Sequence, residues 1–263
     1  MRIVRFLWDS GTFYGILSGD TIEVLEDGPF EAIRRTGETA KRADVKLLAP
    51  VDPPNVIAIG LNYRRHATES KMAMPDHPLL FLKATTSVVG PEDAIVLPEI
   101  ARNEVDYEAE LCIVIGETVR DVSEEDALDY VLGYTCGNDV SARDCQLRLD
   151  SQWARGKSFD TFCPLGPWVE TEMDPDNADI CSRLNGQVMQ DSNTSDMIFD
   201  CRKLISFLSH CMTMLPGTVI MTGTPEGVGF VRKPAVFLKS GDVVEVEVAG
   251  IGTLRNSVQQ NVI

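Results

Sequence analysis

The residues with the most chemical promise lie in DYEAELCIVIG, where Glu108 and Glu110 stand two positions apart. On a strand, alternate residues project from one face, so both carboxylates point the same way. The strand continues through Cys112–Ile115, an apolar run expected to be buried on both faces. Two carboxylates at the mouth of a buried strand repel each other and lose hydration, a costly arrangement unless a cation compensates. The competing reading is a solvated strand face, of the kind Glu245 and Glu247 make in VVEVEV. A third acid, Asp139 in VLGYTCGNDVSARD, directly follows an apolar strand and precedes Ser141, which is expected to cap a short helix. A simple Asx turn is its alternative. Three carboxylates with no histidine or thiol among them suit a hard cation, Mg2+ or Mn2+, with positions left open for substrate and water. Zinc would recruit nitrogen or sulfur.

Further groups lie nearby in the sequence. The strand TVIMTG runs into TGTPEGVG (222–229), where glycines including Gly223 free backbone N–H groups for an anion and Thr222 and Thr224 add hydroxyls. The GK[ST] signature of a phosphate loop is missing, and a tight structural turn is an equal alternative. Lys157 sits among Trp153, Phe159 and Phe162. It is either a snorkelling surface lysine or a desolvated charge serving chemistry. Lys83 ends the apolar strand LLFLK, and Arg143 and Gln146 follow Ser141 closely enough to point toward Asp139. His66 and Glu69, three apart in GLNYRRHATES, share a face if that segment is helical. The carboxylate can then orient the imidazole as a general base. An exposed helical pair is the alternative. His77 lies in a PDHP loop, and His210 is expected to be structural within an apolar helix.

The elements that must position these groups are short and mostly extended. Residues 1–50 alternate apolar runs with glycine turns and predict a small β-rich domain, with one short helix near Glu31–Thr36. The three prolines of LLAPVDPPN, Leu47–Asn55, mark a linker, so residues 51–263 are expected to form the second, catalytic domain. Ser123 and Asp126 read as a capping pair for a helix running to Tyr130 and stopped at Gly133. Asp200 caps a longer helix whose buried stripe is Leu204, Ile205, Leu208, Cys211 and Met212, ended by Leu215–Gly217. Asn185–Gly186 signals a hairpin. A mixed α+β, predominantly β architecture follows.

The totals narrow the function. A formal charge of −16 argues against nucleic acid, and no apolar run is long enough to span a membrane. Seven cysteines, odd in number and without a C-x-x-C pair, read as free thiols of a reducing, cytoplasmic compartment.

Taken in order, GLNYRRHATES, LFLKATTSVVGP, DYEAEL, GNDVSARD, GKSFDTFCPLGP, the Asn185–Gly186 hairpin, TGTPEGVG and GDVVEVEVAGIGTLRN resemble the fumarylacetoacetate hydrolase (FAH) superfamily over roughly residues 55–258. GKSFDTFCPLGP and FVRKPAVFLKSGD are most similar to its domain-containing protein 2 subgroup. The resemblance implies an FAH-type β-sandwich roll, a homodimer, and Mg2+ or Mn2+ held by Glu108, Glu110 and Asp139. It implies a catalytic His66–Glu69 dyad on a lid over Lys71–Pro78, oxyanion stabilisation by Lys157, and substrate contacts from Lys83, Arg143, Gln146, Gly223 and Thr224. The implied substrate is a small anionic 2-oxo acid that passes through an enolate. Hydrolytic C–C cleavage of an acylpyruvate or fumarylpyruvate stands first, with oxaloacetate keto–enol tautomerisation or decarboxylation as alternatives. A non-catalytic metal-binding homologue is the remaining class.

Overall fold

The computed structural model of the protein describes residues 1–260. Its organising strand is Ala109–Ile115, all seven residues of which are buried. The odd positions Ala109, Leu111, Ile113 and Ile115 join one core with Ile180, Val246, Val248 and Leu254. The even positions Cys112 and Val114 join another with Val56, Val219 and Met221. Each Leu, Ile, Val or Met among them contributes about 1.5–3 kcal/mol by leaving water. The pairing of this strand is therefore anchored on both faces, and a slip of one residue would exchange the two cores. Glu108 and Glu110 share the even parity and stand where that face opens.

Around this strand runs a twelve-stranded sheet. Its main path passes from Arg35–Lys41 through Thr21–Leu25, Gly11–Ser18, Arg2–Trp8, Cys163–Glu170 and Val131–Asn138 to Ala109–Ile115. It continues through Val219–Met221 and Val56–Gly60 to an edge at Leu79–Lys83. A five-stranded sheet, built on Asp179–Leu184 and Val243–Val248, covers the odd-parity face. In Val243–Val248 the alternation is clean, with Val244, Val246 and Val248 buried. Asn185 and Gly186 take positive φ, 52° and 80°, as the tight hairpin between Asp179–Leu184 and Gln187–Asn193 requires. The architecture is mixed α+β, dominated by strands, as the sequence pattern implies.

Residues 1–50 carry their own apolar cluster, including Val4, Phe6, Ile22 and Val24. Their sheet is nonetheless continuous with the rest, because Arg2 and Ile3 pair with Glu170 and Val169.

Several local expectations need correction. Glu31–Thr36 is not helical: Arg35–Lys41 is a strand paired with Thr21–Leu25, because a segment that short cannot offset the cost of helix nucleation. Ser123 and Asp126 do bond reciprocally, at 2.7 and 3.2 Å, but the helix they introduce is one 3-10 turn, Ala127–Tyr130. Gly133 then lies inside Val131–Asn138, where a Cβ would sit 2.5 Å from the Glu170 carbonyl. Ser141 caps no helix. It pairs with Asp106 in a two-residue ladder, and Asp144 caps the turn Cys145–Leu149 instead. Asp200 caps helix α3, Cys201–Cys211, by accepting from Lys203 N at 2.9 Å. Its buried stripe keeps Leu204, Ile205 and Leu208, but Cys211 is exposed and Met212 already lies beyond the helix. His210 faces solvent with Nδ1 2.8 Å from Ser206 O.

Candidate active site

Strand pairing assembles the acidic cluster. Ala109 lies opposite Asn138, so the start of one strand meets the end of the other. Asp139 N donates to Glu108 O at 2.9 Å, and Glu108 N donates to Asn138 Oδ1 at 3.0 Å. One carboxylate oxygen each from Glu108, Glu110 and Asp139 thus falls within 4.8 Å of the others, all three residues buried. The solvated-face reading is excluded by that burial: Glu110 and Asp139 are each 1 % exposed.

Cationic side chains close around this cluster. Lys157 Nζ donates to Glu108 Oε2 at 2.7 Å and Asp139 Oδ2 at 2.6 Å. Helix α2, Ala154–Lys157, brings it there, packed against the turn Cys145–Leu149. Lys83 Nζ reaches Asp139 Oδ1 at 2.5 Å. Arg143 Nη2 stands 2.7 Å from Glu108 Oε1 and 2.9 Å from Asp106 Oδ2. The charges shape one another. Burial alone would raise the Glu108 carboxyl, but Lys157 and Arg143 overcome it and bring it down to about 2. Glu110 goes well above the usual carboxylate range, through burial first and then through Asp139 and Glu108. Burial would lower the Lys157 ammonium, yet Asp139 and Glu108 outweigh it and keep that group protonated.

The donor set fits a hard divalent cation. Its oxygens come from carboxylates alone, and ionised Glu110, disfavoured by burial first and then by Asp139 and Glu108, would gain from a cation beside it. Four buried acids, Asp106, Glu108, Glu110 and Asp139, face three buried cations, Lys83, Arg143 and Lys157. Fully ionised, the cluster carries one net negative charge; a divalent ion would make it one positive. An anionic substrate is thereby accommodated within an acidic protein.

His66 and Glu69 both lie on helix α1, Arg64–Glu69, with Nδ1 of the ring 3.5 Å from Glu69 Oε2. Gly227 N donates to the same carboxylate at 3.0 and 3.2 Å. Burial would raise Glu69, but His66 and the Gly227 amide together leave it below the ordinary carboxylate value. A carboxylate so held is placed to accept from a protonated Nδ1, the tautomer that would leave Nε2 unprotonated.

A cavity of about 110 Å³ connects these parts, lined by His66, Lys157, Arg143, Gln146, Thr224 and the three carboxylates. Lys83 and Gly223, expected to touch substrate, instead sit behind the acids. The Lys83 ammonium is committed to Asp139, and Gly223 N donates to Glu110 Oε2 at 2.8 Å. Gly223 adopts φ +99°, and a Cβ there would meet Asn62 Cβ at 2.7 Å, so the turn admits no side chain. Thr224 lines the cavity, but its hydroxyl donates to Ala109 O and accepts from Gln190. Thr222 Oγ1 donates to Leu111 O.

Two positioning residues escaped sequence reasoning. Asp106 is fully buried and accepts from Arg143 Nε, Tyr107 N, Gly229 N and Phe230 N at 2.8–3.0 Å. It ties Arg143 to the loop behind the cavity. Its signal was available: in VDYEAE, Asp106 continues the alternation of Glu108 and Glu110. Gln190 bridges Ala109 N and Thr224 Oγ1, and nothing in its own segment marked it.

Fold and site together define an enzyme of acid–base chemistry organised around buried carboxylates. The chain belongs to the fumarylacetoacetate hydrolase family: the profile described as fumarylacetoacetate (FAA) hydrolase, C-terminal, matches residues 55–259. A second profile, Rv2993c-like, N-terminal, matches residues 1–50. The Dictyostelium discoideum fumarylacetoacetate hydrolase domain-containing protein 2 homolog is 50% identical over 227 residues, 81% of this chain and 74% of that protein. The Bos taurus oxaloacetate tautomerase FAHD2A, mitochondrial, is 44% identical over 261 residues, 95% of this chain and 83% of that protein. Among solved structures, 5-carboxymethyl-2-hydroxymuconate delta-isomerase from Mycobacterium smegmatis superposes with a TM-score of 0.91 at 43% identity, covering 99% of this chain and 100% of that one.

Proposed function

We propose that this enzyme moves a proton at the carbon beside the 2-oxo group of a small oxo acid, with oxaloacetate keto–enol tautomerisation as the first reading. One observation carries it: the Lys157 ammonium is held protonated by Glu108 and Asp139 in the wall of a cavity of only about 110 Å³. That is well below the few hundred Å³ of pockets for drug-sized ligands. A four-carbon dicarboxylate suits such a space, and the bovine relative bears the corresponding name.

When bound to Glu108, Glu110 and Asp139, Mg2+ or Mn2+ would supply Lewis-acid stabilisation of negative charge on the substrate oxygens. The side chains divide the rest. Arg143 and Gln146 meet substrate oxygens. His66, oriented by Glu69, takes the proton from C3 of the keto form; the electron pair moves into the C2–C3 bond, and Lys157 donates its hydrogen bond to the oxygen that becomes negative. Return of that proton from His66 to the oxygen, directly or through water, completes the enol and restores the neutral imidazole, and the reverse sequence returns the ketone.

Hydrolytic cleavage of an acylpyruvate is the second reading, favoured by the His66–Glu69 pair, which has the geometry of a base able to activate water. Decarboxylation of oxaloacetate would draw on the same enolate. A side-by-side assay separates them: decay of enol-oxaloacetate, pyruvate release from oxaloacetate, and acylpyruvate cleavage, each with Mg2+ and with chelator. Metal-dependent acceleration of enol decay is expected to dominate. Absence of metal-dependent turnover in all three would end the proposal.

Residues 51–263 are assigned the chemistry, since every side chain of the cluster comes from them, and residues 1–50 a framing role at the sheet's end. A homodimer and a cytoplasmic location belong to the same reading. Exposed Leu82 on the edge strand supports the first, and seven unpaired cysteines the second. Among the described residues no helix is long and apolar enough to cross a membrane.

A further inference from the structure

The cavity of the candidate active site has a larger neighbour. A groove of about 500 Å³ runs beside it, walled in part by Leu80, Gln152 and Phe207, and mostly apolar. The two spaces share two residues, Phe81 and Trp153. Their rings pack edge to face, with centroids 5.6 Å apart. The indole is seated deliberately: Gly60 lies against it, and a Cβ there would come within 2.5 Å of Trp153 Cζ3. Trp153 stands four residues, one helical turn, before Lys157, whose ammonium lies 5.3 Å from the centre of the Phe81 ring. The indole half of this aromatic wall is thus built into the same turn that delivers the lysine, and the Phe81 half into the edge strand Leu79–Lys83.

We infer that Trp153, braced by Phe81 and Gly60, is a specificity-determining partition that confines the substrate to a short chain by closing the active-site cavity off from the apolar groove. The inference rests on the 2-oxo acid reading and adds to it the reason for chain-length selectivity. On one side stand carboxylates and cations; on the other lies apolar wall able to take an alkyl tail. A four-carbon acid fits on the polar side. A longer acyl chain must displace the indole from its seat on Gly60, losing its contacts with Phe81. Removing the indole joins the two spaces and gives the tail an apolar channel, so selectivity is lost without any change to the reacting groups.

The test uses the full chain with Mg2+ and a series of probes with one anionic head: oxamate, N-butyloxamate and N-hexyloxamate, titrated by calorimetry into wild type, Trp153→Phe and Trp153→Ala. In the wild type, affinity is expected to fall by about tenfold or more from oxamate to the hexyl derivative, and Trp153→Phe should behave alike. Trp153→Ala should bring the hexyl derivative to within about threefold of oxamate, while oxamate binding itself shows the variant folded. Trp153→Leu serves as a second variant if the alanine protein does not bind oxamate, and it should show the same levelling. An unchanged length penalty in the folded variants, or no penalty in the wild type, overturns the partition while leaving the 2-oxo acid reading in place. Failure of the wild type to bind oxamate with Mg2+ removes both.

Discussion

Lys157 Nζ lies 2.6 Å from Asp139 Oδ2, so a buried ammonium, fixed by a carboxylate, forms part of the wall that a substrate must meet. The same nitrogen bonds Glu108. Replacing it therefore has two separable effects. Lys157→Met is expected to lower kcat by about 10²–10³, the loss typical of one preorganised donor to a developing oxyanion. It should also lower the melting temperature of the metal-free protein, because two buried carboxylates lose a partner, a change on the order of 3–5 kcal/mol. Added Mg2+ should recover much of the melting temperature and little of the turnover. Steady-state assays and thermal melts with and without Mg2+ check both.

In the proposed mechanism His66 carries the proton and holds no metal, although it lines the same cavity as the three carboxylates. His66→Ala should leave Mn2+ affinity within about twofold while turnover falls about 10²–10⁴-fold. Glu69→Gln, which keeps the contour but removes the charge facing Nδ1, should give a smaller loss. Tautomerisation that survives in His66→Ala while acylpyruvate cleavage disappears would reassign the dyad to the hydrolytic reaction.

Asp106 holds Arg143 and the amides of Gly229 and Phe230 without lining the cavity. Asp106→Asn should act mainly on binding: KM rises about tenfold, the value of one weakened charge-assisted hydrogen bond, with kcat changed less than about threefold. A loss confined to kcat would instead place Asp106 in the chemical step.

The raised Glu110 carboxyl sets a pH dependence with a definite sign. A folded-state value above the ordinary one means the folded protein binds a proton more tightly than the unfolded chain. That contribution to stability is full below the ordinary carboxylate value and disappears as pH rises through the raised one. Metal-free protein should therefore lose melting temperature across that window. With saturating Mg2+, which requires the ionised carboxylate, the loss should vanish, and metal affinity should increase with pH. Melting curves in chelator and in Mg2+ from the ordinary carboxylate range upward in pH decide it; parallel curves would show that Glu110 is not linked to the metal.

Much of this was legible in the sequence because strand parity is local. Glu108 and Glu110 share a face whatever the fold, and the buried run after them places that face inside. The β-rich texture, the Asn185–Gly186 turn and the Asp200 cap rest on similarly short-range chemistry. What was not legible depends on pairings between distant segments. The Ser141 cap gave way to pairing with Asp106, which no local signal encodes. Lys83 looked available to a substrate until Asp139, fifty-six residues away, was seen to hold its ammonium. The Gly223 amide similarly turned out to serve Glu110, across the sheet. The wall formed by Trp153 and Phe81 is likewise created by packing between an edge strand and a turn.

The most direct test of the metal site is a Mn2+ titration followed by electron paramagnetic resonance on wild type and on Glu110→Gln, a change that keeps size and removes the ligand charge. The wild type is expected to take up one tightly bound Mn2+ per chain, and Glu110→Gln to lose at least about 100-fold in affinity together with its turnover. Equal Mn2+ binding by the two proteins, or full activity in wild type stripped of metal, would contradict a divalent ion held among Glu108, Glu110 and Asp139.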